Sequence, residues 1–236
     1  MKKILQKTLT AVADYVIPSH CFNCSRAVEN GKVICDDCYK EIELTKDNVC
    51  DKCGIKKSVC DCKRYVYHFS AVAAPFRNDG IAKKGLYGVK FNSDEAVVDF
   101  YVHHMVDRLK ARMKDLDFDF VTFVPMSPIK KISRGFNQAE LLANGVAKLM
   151  KLTFRSDLLY RSIFSPTQHR CKNVKDRFIN AYKSYHHRKK LKGGRVLLID
   201  DIKTTGASLE ACSRELLMAG ADEVFCLVAL IGDKNS

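Results

Sequence analysis

Nowhere in its 236 residues does this chain string together the ~20 apolar residues that a helix needs to cross a bilayer, which excludes a membrane-spanning helix. Nor does its start read as an export signal. Gln6, Lys7 and Asp14 interrupt the apolar residues there, and no small-residue cleavage site follows. A cytoplasmic location is the expectation, and with it a reducing environment in which disulfides are rare. Low-complexity tracts are missing, and nothing repeats apart from paired cysteines. Acidic residues are scarce: 27 Asp and Glu stand against 40 Lys and Arg, a formal charge of +13. That imbalance suits anionic partners (nucleotides, nucleic acid, a membrane surface) and equally a basic surface that only keeps the protein soluble. The length allows one medium domain plus a small one.

Leu5, Leu9, Val12 and Val16 step by four, three and four, which predicts an amphipathic helix over residues 1–17 whose apolar face packs on the protein's own body. Eight of the eleven cysteines follow between residues 21 and 62, in pairs: Cys21 with Cys24, Cys35 with Cys38, Cys50 with Cys53, and the tighter Cys60 with Cys62. Two intervening residues bend the chain into a knuckle that aims both sulfurs at one point, and two knuckles complete a tetrahedral Zn²⁺ site. The spacing predicts two structural zinc ions. Sequential pairing (21/24/35/38 and 50/53/60/62) closes the shorter loops; a crossed pairing is the alternative. Large apolar residues are few between 18 and 66, so metal binding is expected to supply much of that region's folding energy. His20 is read as a neighbour of the first knuckle, and Cys212 and Cys226 as core residues.

From residue 67 to 236 the pattern turns to alternating strands and helices. Strands are predicted at 69–76, 118–124, 196–199 and 223–231, and helices at 94–113, 136–150 and 208–219. This order argues for a mostly parallel α/β sheet flanked by helices on both faces, whose ligands bind outside the carboxyl ends of the strands. Two loops fall at such ends. In the first, the apolar run Val196 to Ile199 precedes Asp200 and Asp201, and Thr204, Thr205, Gly206, Ala207 and Ser208 then open a helix. Free backbone N–H groups and hydroxyls at a helix start cradle a phosphate, and the acid pair can accept bonds from ribose hydroxyls. In the second, Ser127 precedes Lys130, Lys131 and Arg134, cations placed to grip a diphosphate. Between the two lies a polar basic stretch with Gln168, Arg170, Lys172 and Arg177. It reads as a lid, as a contact to a nucleic-acid backbone, or as a solvated connection. The run from Arg188 to Lys192 reads as a soluble turn.

The Asp-Asp…Thr-Thr-Gly segment resembles the phosphoribosyl-diphosphate (PRPP) motif of the type I phosphoribosyltransferase fold. Together with the four cysteine pairs, Lys90-Phe91, Arg134 to Gln138, and Gln168…Arg177…Asn180-Ala181, in that order, it makes the chain similar to the ComF family, the ComFC-type competence proteins. The resemblance runs from about Pro18 to Gly232. It implies a type I phosphoribosyltransferase-like fold carrying a small N-terminal Cys-rich zinc-ribbon domain. It also implies a cytoplasmic role in handling single-stranded DNA during natural transformation, with other competence proteins at the membrane as possible partners. Carried over, Asp200 and Asp201 hold the ribose and are the catalytic candidates, Thr204 to Ser208 hold the 5′-phosphate, Lys203 belongs to the PRPP site with its role open, and Ser127 and Arg134 lie near the diphosphate with Mg²⁺. Two functions follow. One is a PRPP-binding accessory protein that contacts single strands, with Tyr65, Tyr67, Phe69 and Phe91 as stacking candidates. The other is an active phosphoribosyltransferase, whose carboxylates would stabilise an oxocarbenium-like ribose. No acceptor-recognition motif is visible. The sequence leaves acceptor and oligomeric state open.

Overall fold

The computed structural model describes residues 19–60, 62, 66–78, 80–88, 95–114, 116–162 and 173–232. The predicted N-terminal helix, Lys90-Phe91, Tyr65 and the stretch with Gln168, Arg170 and Lys172 lie outside the described residues. The elements run α1 (Asp36–Lys40), β1 (Val72–Ala73), β2 (Phe76–Arg77), α2 (Gly80–Gly88), α3 (Glu95–Arg112), β3 (Phe120–Phe123), α4 (Pro128–Arg134), α5 (Gln138–Met150), β4 (Thr153–Phe154), β5 (Leu159–Arg161), α6 (Val174–Ser184), β6 (Tyr185–His187), β7 (Arg195–Lys203), α7 (Ala207–Met218) and β8 (Glu223–Ile231). A 3₁₀ turn spans Lys57–Val59.

Six strands form a parallel sheet in the order β1-β8-β7-β3-β4, with β2 also on β8. The predicted strand 69–76 is thus two short pieces. Between them the Pro75 carbonyl accepts the Thr45 N–H from outside the sheet, at 2.8 Å, and β2 resumes beyond it. The other two strands, β5 and β6, pair antiparallel on their own. Alternation along β7 assigns the two cores. Leu197 and Ile199 point to the side of α3 and α5, Val196 and Leu198 to the side of α7, and all four are fully buried. On α3, Val97, Tyr101, Val102, Met105, Val106 and Leu109 are buried in the first of these cores and Val98 packs against it. Caps explain why the loop after β3 breaks into two helices. Ser127 caps α4 with Pro128 at its first position, Gly135 ends it at φ +80°, and Asn137 caps α5.

The cysteine-rich segment shares both of these cores. Cys21, Val33, Ile34, Cys35, Cys38 and Ile42 join the cluster with Phe76, Leu86 and Tyr101, while Cys53 and Ile55 join Val72, Leu198 and Ile231 on the opposite face. The segment therefore sits astride the sheet edge. Its middle lies along β2: Arg77 N–H donates to the Glu43 carbonyl and Leu44 bridges Phe76 antiparallel, which covers the exposed strand. Close approach holds each half in place. A β-carbon on Gly85 would sit 2.6 Å from both the Phe22 ring and the Tyr101 hydroxyl, and one on Gly54 2.9 Å from Ile231 Cδ1. On the first side Tyr39 and His104 share a 3.0 Å hydrogen bond; on the second Arg112 donates to the Cys50 carbonyl at 3.2 Å.

Candidate functional site

The four sulfurs of Cys21, Cys24, Cys35 and Cys38 lie within 4.8 Å of one another, and so do those of Cys50, Cys53, Cys60 and Cys62. The pairing is sequential. A tetrahedron with Zn–S bonds of ~2.3 Å has sulfurs roughly 3.8 Å apart. Cys24 and Cys35 are 3.8 Å apart, Cys50 and Cys62 3.8 Å, and Cys53 and Cys60 3.7 Å, so both clusters fit the ion. Backbone amides lower one thiol in each cluster. Burial works against the Cys21 thiolate, but the N–H groups of Cys24, Cys35 and Asn23 outweigh it and bring the thiol down to about 6. Cys50 is brought down to about 7 in the same way, burial opposed by the N–H groups of Cys53 and Lys52 and by the Cys60 thiol. Cys212 and Cys226 are fully buried, as core residues should be.

The acid pair and the loop that follows it lie at the carboxyl end of β7. The acid pair does not follow the strand, as its spacing predicts; it lies inside it. Register with β8 continues through Asp200–Val228 and Ile202–Leu230 to Lys203–Ile231. The polar pair is tolerated there because each carboxylate accepts the next backbone N–H: Asp201 N–H donates to Asp200 Oδ1 at 2.9 Å and Ile202 N–H to Asp201 Oδ1 at 2.7 Å. Burial, then the neighbouring Asp201 charge, raises Asp200 well above the usual carboxylate range. Burial raises Asp201 as well, against the local hydrogen bonds and the Arg134 charge. Two carboxyls held together in a buried site attract whatever cation can satisfy both.

The loop behind them turns on Gly206, whose φ of +82° only glycine adopts without strain, and α7 begins at once. Ala207 N–H donates to Thr205 Oγ1 at 3.4 Å, and the Tyr185 hydroxyl donates to Ser208 Oγ at 3.2 Å. Thr204 and Ser208 are half-exposed around this turn, Thr205 is buried, and Lys203 points inward with its stem on Gly206.

Cations converge on the acid pair from two sides. Burial pulls the Lys130 ammonium below its usual value, the Arg161 and Arg134 guanidiniums push it the same way, and Asp201 acts against them. Lys130 and Arg134 come from α4, with Ser127 at that helix's cap. Lys131 turns away to Glu140, at 2.9 Å. Arg161 was not legible in the sequence. It belongs to β5 and lies over the Tyr185 ring at 5.2 Å, and its charge acts on Asp200. Its Nε is buried with no hydrogen-bond partner among the described residues. Arg177, the described member of the basic stretch, is exposed on α6.

A buried carboxylate ties these parts together. Glu210 of α7 is fully buried. It accepts His68 N–H at 2.8 Å and the Tyr182 hydroxyl at 3.0 Å, and it contacts the His68 ring. The stacking role expected of Tyr67 and Phe69 fails, because both are buried and stack on each other at 4.8 Å.

A double zinc ribbon domain model matches residues 12–65. The chain is 28% identical over 203 residues to the competence protein ComFC of Streptococcus pneumoniae, spanning 81% of this chain and 84% of that one. It is 27% identical over 111 residues to the DNA utilization protein YhgH of Escherichia coli, 46% of this chain and 48% of that protein, so this match spans about half of each. Among solved structures, an adenine phosphoribosyltransferase aligns at a TM-score of 0.39 and 15% identity, over 60% of this chain and 82% of that one. Among the described residues, no helix is long and apolar enough to cross a membrane.

Proposed function

We propose, from the chain's similarity to the ComFC competence proteins, that it holds PRPP at the carboxyl end of β7 and serves the handling of incoming single-stranded DNA. The observation that carries the reading is the acid pair, Asp200 buried and Asp201 half-buried, followed directly by a glycine-turned helix start and within reach of the charges of Lys130, Arg134 and Arg161. Each part has a chemical partner in PRPP. The α7 start and the Thr204 and Ser208 hydroxyls suit the 5′-phosphate. The carboxylates suit ribose hydroxyls and Mg²⁺. Lys130, Arg134 and Arg161 suit the diphosphate, and Lys203 supports the loop from beneath. When bound, Mg²⁺ supplies charge neutralisation at the diphosphate. Asp200 and Asp201 draw it in, and Ser127 holds the cationic helix in register.

For the nucleic acid, the outer face of the β5–β6 ribbon supports contact with single strands. Tyr160 is exposed there, 5.3 Å from the His186 ring and under Arg188 at 5.1 Å, with Lys190 and Lys192 exposed nearby. A ring flanked by cations suits base stacking with phosphate contact.

Calorimetric titration with PRPP and Mg²⁺, with and without a single-stranded oligonucleotide, tests both halves. Saturable PRPP binding that disappears in the Asp200→Asn, Asp201→Asn variant is expected, together with oligonucleotide affinity that falls steeply with salt. No heat with PRPP overturns the pocket reading, and salt-independent or undetectable oligonucleotide binding overturns the other. The raised Asp200 carboxyl favours a second reading, phosphoribosyl transfer, because burial lets it hold a proton more readily than an ordinary carboxylate. Diphosphate release with a nucleobase or phosphate acceptor measures it; its absence with every acceptor leaves binding alone.

A further inference from the structure

A groove of about 560 Å³ lies between the first ribbon and the outer side of α3, walled by the turn at Gly31 and Lys32 and by the start of α1. Its floor is apolar: Val33 and Ile34 are buried beneath it, Phe100 is half-buried, and Tyr39 is 37% exposed. Phe100 is held by other rings, 5.9 Å from Phe22, 5.7 Å from Phe76 and 4.5 Å from His104, so the surface it offers is rigid. Aromatic surface left open on a fixed support marks a place where something apolar docks.

The rim says what kind of occupant fits. In a chain of +13, Asp36 of α1 and Asp99 of α3 line this groove, and Glu95 and Asp107 continue the exposed row of α3 at four-residue steps. Lys32, the cation at its edge, is shared between Glu29 and Asp36 at 3.3 Å. Such a rim repels a phosphate backbone and favours an apolar segment that carries positive charge. The chain contains one. Residues 1–17 hold the helical stripe Leu5, Leu9, Val12 and Val16, with Lys2, Lys3 and Lys7 against a single acid, Asp14. Pro18 stops that period. Ser19, the first described residue, enters the ribbon beside the groove. Its carbonyl accepts the Val28 N–H at 2.8 Å, and Gly31 in the groove wall is three residues further on, ~10 Å at most. A 17-residue helix spans about 26 Å, against about 27 Å for the 18 residues of α3. The double zinc ribbon match also begins at residue 12, which counts Val12 and Val16 with the ribbon.

We propose that this groove is the docking site of the chain's own residues 1–17, laid along α3 with Leu5, Leu9, Val12 and Val16 toward Phe100 and Tyr39. Tethering at Ser19 keeps the segment at high effective concentration beside the groove, so a modest apolar contact suffices to hold it.

The test uses the full zinc-loaded chain. A photoreactive benzoylphenylalanine in place of Leu9 is activated in a mixture of isotopically light and heavy protein, and the joined peptides are identified by mass spectrometry. Links within one chain to residues 31–40 or 95–107 are expected. Links elsewhere on the chain overturn the proposal, as does the absence of links. Links from light to heavy chains at those residues make a second copy the occupant and overturn it too. Carbethoxylation of His103 checks the contact without the label, because its Nδ1 meets the Asp99 carbonyl at 2.8 Å and Nε2 is left to react in the groove. Leu9→Asp with Val12→Asp should speed that reaction, and hydrogen exchange of amides 5–16, by ~10-fold or more at unchanged zinc content, since the burial that holds the segment is lost. Unchanged rates overturn the proposal. The cross-links decide the question even where that variant does not fold.

Discussion

The Tyr185 hydroxyl donates to Ser208 Oγ at 3.2 Å and so pins the Thr204–Ser208 loop to the β5–β6 ribbon. Tyr185 is buried, and burial holds its phenol protonated well beyond the ordinary tyrosine range. Tyr185→Phe keeps the packing and removes one bond, a loss of about 1 kcal/mol, so PRPP affinity should fall roughly fivefold with little change in fold. Calorimetry on Tyr185→Phe beside Ser208→Ala checks it. A larger effect of Tyr185→Phe than of Ser208→Ala would show that the bond is not the pin.

Asp200 should make the protein less stable as pH rises. Its folded-state pKa is raised by burial above the unfolded value of about 3.9. Below the unfolded value both states are protonated and no cost arises; between the two values the folded state binds more protons, so stability falls with rising pH until the folded value is passed. Asp200→Asn removes that cost and should stabilise the ligand-free protein by about 1–2 kcal/mol at neutral pH, a gain that fades toward pH 4. Thermal melts across pH measure it. A gain independent of pH would mean that something other than ionisation is responsible.

Gly54 and Gly31 form a matched pair. Both have positive φ, +75° and +86°, but a β-carbon at Gly54 meets Ile231 Cδ1 at 2.9 Å and the Val72 carbonyl at 3.1 Å, whereas none lies within 4 Å of Gly31. Gly31→Ala should cost about 1 kcal/mol from backbone strain alone. Gly54→Ala adds a clash with the sheet and should cost about 3 kcal/mol. Denaturant midpoints decide it, and equal costs would refute the close approach of knuckle and strand.

Removing zinc should unsettle the whole molecule, because both knuckle pairs lie in the body's cores. Chelation at neutral pH should lower the melting temperature by on the order of 10 °C, with one transition rather than two. Calorimetry with and without chelator would show otherwise if the body kept its own unchanged transition.

The strands and helices were largely readable because their signals are local. An apolar run such as 196–199 or 223–231, or the stripe from Val97 to Leu109, follows from hydrophobic period alone. Boundaries were less so. The strand through Asp200 and Asp201 persists because β8 supplies ladder partners, and β4, β5 and β6 are too short to carry a period. The pocket's motif residues were legible from their order, while Arg161 and Tyr185 were not, since nothing near them in the chain marks a ligand site.

By itself, the sequence determined the four cysteine knuckles, the acid pair with its glycine-turned loop, and the alternation that makes a parallel sheet, because spacing and period are properties of neighbouring residues. Only the tertiary structure decided that the ribbons pair sequentially and straddle the sheet edge. It also decided that Arg161 comes within reach of Asp200, and that Lys203 turns inward beneath the loop. Those outcomes depend on burial and charge contributed by segments far apart in the chain, which no local pattern encodes.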